Sequence, residues 1–331
     1  MKKTILLNLL FFLLFIFLIE SISRILNLAN LAGSSSNLIT YEEDFFANTP
    51  NNKAVSFGIK TYTDEYGFRV PKNNFFYKKN KKSILFVGDS VAFGVGVDES
   101  KTFVGLLRKN YENFDIYNSS VIGYGLRDYL LSIQRNKELY NLREIVIFFN
   151  TSDISFASNI LKINNDINEQ EDSNIFNKLK SISYLNKINV FLRSKSVFYM
   201  WAKGISTNPS KRYFNYTYPM FLEEKNIMLL EEYFLKIKKL TQDNKLSVKI
   251  IFLPHEYQTR VNNCMGRYLI PQISVNKILK KINIPFTDMT QSFCDNKNPK
   301  KLFLKYDPVH LSESGHSFVF RLIKENGLLV Q

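Results

Sequence analysis

Lys81–Gly96, KKSILFVGDSVAFGVG, decides how the chain is read. Ser83–Val87 is an apolar, β-rich run of the kind buried in a parallel sheet, and it breaks at Gly88-Asp89-Ser90. Parallel-sheet proteins place their chemistry in the crevice outside the carboxyl ends of the strands, so a serine there stands where a nucleophile belongs. Gly94 and Gly96 after it permit a tight turn. From there the pattern alternates: strands at 83–88, 115–119, 144–149, 247–253 and 284–288, helices near 101–113, 126–139, 222–243 and 271–282, and a last helix from Ser312, a good N-cap followed by Glu313. Such alternation predicts parallel βαβ units, with five strands available to one sheet.

Gly-Asp-Ser alone is weak, since it should occur by chance in roughly one chain in ten of this length. A second element gives it weight. In Tyr306–His316, YDPVHLSESGH, Asp307 and His310 lie three residues apart on a Pro-containing turn. A serine hydroxyl becomes nucleophilic when an imidazole takes its proton, and the imidazole works best when a carboxylate fixes its tautomer. Ser90, His310 and Asp307 are the expected nucleophile, base and orienting acid. In isolation, D-x-x-H more often marks a capped turn.

Together these blocks resemble the SGNH hydrolases, also called GDSL-like esterases, a resemblance that implies a doubly wound, flavodoxin-like, mostly parallel five-stranded sheet in a three-layer α/β/α sandwich. The resemblance extends to Asn118–Gly123, NSSVIG, where it implies that Gly123 donates its backbone N–H to the oxyanion together with Ser90. It departs at the next block. The family pattern is Gly-x-Asn-Asp, whereas here the strand ends in Asn150-Thr151-Ser152-Asp153, so the third oxyanion donor is either Ser152, with a shorter hydroxyl, or Asn150 from a shifted backbone. Thr61–Arg69, TYTDEYGFR, resembles a T/N-x-x-G-F-R segment of membrane-linked relatives and is read as structural.

The chain has 331 residues, 45% of them hydrophobic, with 29 Phe and 18 Tyr, which is ample for one α/β core with additions. Lys2 and Lys3 precede an apolar run, Thr4–Ile19, broken only by Asn8. That run falls between a signal-peptide core and a membrane span; an uncleaved single-pass anchor over 1–28 is favoured over a cleaved signal, with the catalytic domain outside the cytoplasm. Residues 29–60 read as a linker, and 61–331 as the domain, with a partly helical insertion at about 154–215 carrying Phe198, Tyr199 and Trp201. Those aromatics suit a small satellite core better than a pocket wall. His255, after the strand SVKIIFLP, is a possible substrate contact, and His316 is expected to pack.

Cys264 and Cys294 lie beyond the membrane segment and are candidates for a disulfide. No Cys/His spacing resembles a zinc site, and neither metal nor cofactor is expected. The formal charge of +14 is scattered rather than gathered on a groove-reading helix, which argues against nucleic acid and for anionic envelope surfaces. No feature specifies an oligomeric state. The expected activity is cleavage of acyl esters, acetyl foremost, on envelope carbohydrate; transfer of the acyl group to a glycan, or a catalytically weak scaffold, are the alternatives.

Overall fold

The computed structural model describes residues 2–42, 44–78, 81–154, 183–260 and 263–329. At its centre are five parallel strands: β6 (Lys82–Val87), β7 (Phe114–Asn118), β8 (Leu142–Phe149), β9 (Ser247–Phe252) and β10 (Phe286–Asp288). Their order across the sheet, β10-β9-β8-β6-β7, is the doubly wound order read from the sequence. Period-2 alternation sends each strand's residues to opposite layers. Leu85, Val87, Ile145, Ile147 and Phe149 face a core shared with α4 (Leu126–Asn136), α8 (Glu224–Asp243) and α9 (Ile270–Lys281). Ile84, Phe86, Val146 and Phe148 face a second core with α3 (Phe103–Asn110), α10 (Thr290–Cys294) and α11 (Glu313–Glu325). Helices on both faces explain why these strands read as continuous apolar runs.

The chain order reverses at β6, which has β7 on one side and β8 on the other, so the ends of β6 and β8 open onto the switch point of the sheet. Ser90 begins α2 (Ser90–Phe93) immediately after β6, and Asn150 follows β8. The candidate site is therefore set by topology before any side chain is considered.

Residues 29–60 are folded against the domain, which corrects the linker expectation. They carry β1 (Ile39–Tyr41), β2 (Phe46–Asn48), β3 (Lys53–Ser56) and the start of β4 (Ile59–Thr63), which continues through β5 (Arg69–Val70) as a three-stranded antiparallel sheet. Leu38 and Ala54 pack on Phe93 and Val95, just beyond Ser90. The Asn48 side chain donates to the carbonyls of Gly67 and Ser120 at 3.0 Å each. Gly, Ser and Asn here are turn formers between short strands, a composition that a tether shares.

The Thr61–Arg69 segment is structural, as expected. Arg69 is buried, its guanidinium donating to the carbonyls of Phe93, Gly94 and Val97 while stacking 4.8 Å from the Phe93 ring centroid. It thereby clamps the turn that follows Ser90. Burial lowers its pKa to about 10, still cationic at neutral pH.

Of the expected insertion, residues 155–182 lie outside the described residues. The remainder forms α5 (Ser183–Lys195), α6 (Val197–Thr207) and α7 (Pro209–Thr217). Phe198 and Trp201 pack on each other at 5.8 Å, but the satellite core gathers instead around Phe214, ringed by Tyr218, His255, Tyr257 and Tyr268. A disulfide joins Cys264 to Cys294. The N-terminal α1 (Lys2–Ile25) is long and apolar enough to cross a membrane, with a mean hydropathy of 2.7 over its best window and no burial against the domain there.

Candidate active site

Asp89 caps the single turn of α2, its Oδ1 accepting from the Val91 amide at 2.8 Å, and this stops the strand and starts the helix at Ser90. Gly88 lets the turn sit tight, since a Cβ there would fall 2.6 Å from the Ala92 Cβ. On the far side of the site, Asp307 Oδ1 accepts from the amides of Val309 (2.9 Å) and His310 (2.8 Å), folding the D-P-V-H turn back on itself. That leaves Asp307 Oδ2 free to face the imidazole.

The three side chains meet. His310 Nδ1 lies 2.8 Å from Asp307 Oδ2, and His310 Nε2 lies 2.8 Å from Ser90 Oγ. Both contacts are short, and together they fix the tautomer: a proton on Nδ1 shared with the carboxylate leaves Nε2 as acceptor for the serine hydroxyl. Burial disfavours charge on His310, yet the Asp307 carboxylate and its hydrogen bond outweigh that and raise its pKa above the ordinary value. Burial likewise pushes Asp307 upward, but His310 and the two backbone amides hold it below the usual carboxylate range. The ring of Phe57, at the tip of the β3–β4 hairpin, meets the imidazole edge-on at 4.9 Å and packs it in place.

Gly123 takes φ +90° in the turn after β7, a conformation glycine enters freely. That turn is fastened beside Ser90: Val121 N donates to the Gly88 carbonyl at 3.1 Å, and the Asn118 side chain donates to Ala92 at 3.2 Å. The departing block after β8 is arranged by its own hydrogen bonds. Asn150 N donates to Asp153 Oδ2 at 2.8 Å, and Asn150 Oδ1 accepts from both the amide and the hydroxyl of Ser152. The Asn150 amide group in turn hydrogen-bonds Asp89, the neighbour of Ser90, while Ser152 also hydrogen-bonds Tyr213 of α7.

Two acids beneath the serine carry no role in the sequence reading. Asp89 and Asp153 are both buried, and burial raises both pKa values; the charge of Asp89 raises Asp153 further. Asp153 closes the Asn150–Asp153 block with no assigned role, and Tyr213 sits in the insertion, where no local pattern marks it.

His255 corrects an expectation. It is fully buried, stacked on Tyr213 at 5.3 Å, with neither ring nitrogen hydrogen-bonded, so it lies behind the site and does not present itself to substrate. Burial lowers its pKa to about 3. His316 is buried as expected, accepting from the Phe103 amide at 3.2 Å. Among the described residues, no group of three or more His, Cys, Asp or Glu side chains is arranged to hold a metal ion.

No family model and no curated protein matches the chain. Solved structures do: 74 chains match, among them a member of the lipolytic G-D-S-L family from Veillonella parvula (14% identity, 74% of this chain and 97% of that one, TM-score 0.41). A lipase/acylhydrolase from Enterococcus faecalis (14%, 74% and 96%, TM-score 0.40) and the esterase EstA from a Pseudoalteromonas species (12%, 75% and 97%, TM-score 0.39) are also similar. At such identities and scores the chemistry has to be argued from the site itself.

Proposed function

We propose that the chain is a serine esterase working through an acyl-serine intermediate. The observation that carries this is the continuous Ser90 Oγ–His310 Nε2 and His310 Nδ1–Asp307 Oδ2 relay, built from two turns 220 residues apart. His310 takes the Ser90 proton as Oγ attacks the ester carbonyl, then returns it to the leaving alkoxide; a water deprotonated by the same imidazole releases the acid. The N–H groups of Ser90 and Gly123 receive the oxyanion. Asn150 is the third donor rather than Ser152, because an amide has two N–H bonds and Asp89 engages one side of it, whereas the hydroxyl proton of Ser152 points to Asn150 Oδ1.

The substrates are acyl esters, acetyl foremost, on envelope carbohydrate, reached by a domain that α1 tethers as a single-pass anchor outside the cytoplasm. Support for this part is the apolar length of α1 and the two lysines at its start.

Fluorophosphonate labelling of the full chain in detergent tests the reaction. Wild type labels and Ser90→Ala does not; a folded wild type that fails to label refutes the enzyme and leaves a scaffold. Supplying a sugar acceptor and weighing acylated sugar against free acid then separates hydrolysis from transfer.

A further inference from the structure

We propose that α5 and α6 form a collar lying in the bilayer interface around the exit of α1, holding the catalytic loop at the membrane surface. This rests on α1 being a membrane anchor and goes beyond it, because a tether alone would leave the domain free to tumble.

Depth is set by Glu20, which follows directly on the apolar run Thr4–Ile19 and so marks where α1 leaves the hydrocarbon. Its carboxylate caps α6: Oε1 accepts from Val197 N at 3.0 Å, and Oε2 accepts from Ser196 Oγ at 2.8 Å and Phe198 N at 3.2 Å. Arg24 braces the same carboxylate at 2.7 Å and donates to the Lys195 carbonyl. The first turn of α6 is thus held by charged hydrogen bonds at the level where the anchor emerges.

The two helices that meet at this cap present apolar side chains outward. On α5, Leu185, Ile188 and Phe191 (60% exposed) follow i, i+3, i+6 spacing; on α6, the exposed Phe198 and Ile205 (57%) flank the half-buried Trp201 at i, i+3, i+7 spacing. Lys187, Arg193 and Lys195 punctuate the stripe. Apolar side chains interrupted by cations, on helices fastened to the end of a spanning helix, fit a phospholipid interface, and their continuity with α1 favours lipid over a protein partner.

The flank of α6 next to this stripe reaches the catalytic loop. A Cβ on Gly204 would fall 2.3 Å from Tyr306 Cγ, so the Tyr306 ring fills the notch this glycine leaves. Tyr306 immediately precedes Asp307. Next to it, Lys305 N donates to Asn30 Oδ1 at 2.8 Å and Lys305 Nζ to the Asn27 carbonyl, both in the segment that follows α1. Collar, anchor exit and catalytic loop are one packed unit.

The test uses the full chain in nanodiscs loaded with one copy each, made from phosphatidylcholine and phosphatidylglycerol with and without doxyl-labelled lipid. Phe191→Cys, Phe198→Cys and Ile205→Cys are labelled separately with an NBD fluorophore under non-reducing conditions, which spare the native disulfide. Phe12→Cys in α1 and Leu235→Cys on the exposed face of α8 serve as controls, and only variants that melt as wild type does are scored. Doxyl lipid is expected to quench positions 12, 191, 198 and 205 at least about twofold, and to leave position 235 bright. Quenching at 12 with none at 191, 198 and 205 overturns the collar while the anchor stands. A blue-shifted but unquenched probe at those positions overturns it in favour of a protein occupant, and no quenching even at 12 refutes the anchor and the collar together.

Discussion

His310 is the residue on which the proposed chemistry turns, and its pH behaviour follows from its partners. As a base it must be neutral, so kcat/KM on a simple ester rises with pH through a midpoint above the ordinary histidine value, because Asp307 favours the imidazolium. Asp307→Asn removes that charge and leaves burial opposed only by the weaker pull of Asp89, so the acidic limb moves to lower pH. The same change loses tautomer control and should cost about 10³- to 10⁴-fold in kcat. A limb that stays put would mean that Asp307 is not the group holding the pKa up. The third oxyanion donor separates by substitution as well: Asn150→Ala should cost on the order of 100-fold in kcat, and Ser152→Ala, which leaves the Asn150 amide N–H groups in place, far less. Ser90, Asp307 and His310 were legible because each lies in a short motif whose spacing is local. The choice between Asn150 and Ser152 was not, since it depends on Asp89 and Tyr213, which folding brings from two other elements.

At the level of elements, the central strands and their helices were readable because a strand buried on both faces is apolar throughout and a flanking helix is apolar on one. The hairpins within 29–60 escaped because strands of three or four residues carry too little alternation, and their turn residues mimic a tether. These hairpins nevertheless bring Phe57 onto the His310 ring. Arg69, at the end of the same sheet, clamps the turn after Ser90 through three backbone carbonyls. Arg69→Met fills similar volume but takes the guanidinium from the Phe93 and Val97 carbonyls and leaves Gly94 O only the long bond from Val97 N, at about 1–3 kcal/mol for each group stranded. Thermal melting of the full chain should show a fall of several degrees, accompanied by slower fluorophosphonate labelling of Ser90. An unchanged melt would mean that water replaces the guanidinium and that the clamp is dispensable.

For the molecule as a whole, stability against acid is a sum over buried groups whose signs differ. His255 and His316 are both held near pKa 3 by burial, so between about pH 6.5 and 3 the unfolded chain binds protons that the folded chain refuses, and stability falls as the pH falls. Asp128, raised to about 6 by burial, works the other way: its folded form takes up a proton that the unfolded form does not, so acidification to about pH 4 relieves a cost present at neutrality. His310, raised by Asp307, likewise contributes below its unfolded value and loses that contribution as pH rises through its folded pKa. The wild-type profile therefore mixes opposing slopes, and a difference between variants isolates one of them. His255→Phe keeps an aromatic ring stacked on Tyr213 and removes a single titrating group. Between pH 7 and pH 5, one histidine with folded and unfolded pKa values near 3 and 6.5 costs about 2 kcal/mol. The variant should therefore lose about 2 kcal/mol less stability than wild type over that interval, read as a melting temperature that falls less on acidification. Parallel losses in the two proteins would show that His255 takes up its proton in the folded state, and hence that water reaches the ring behind Tyr213.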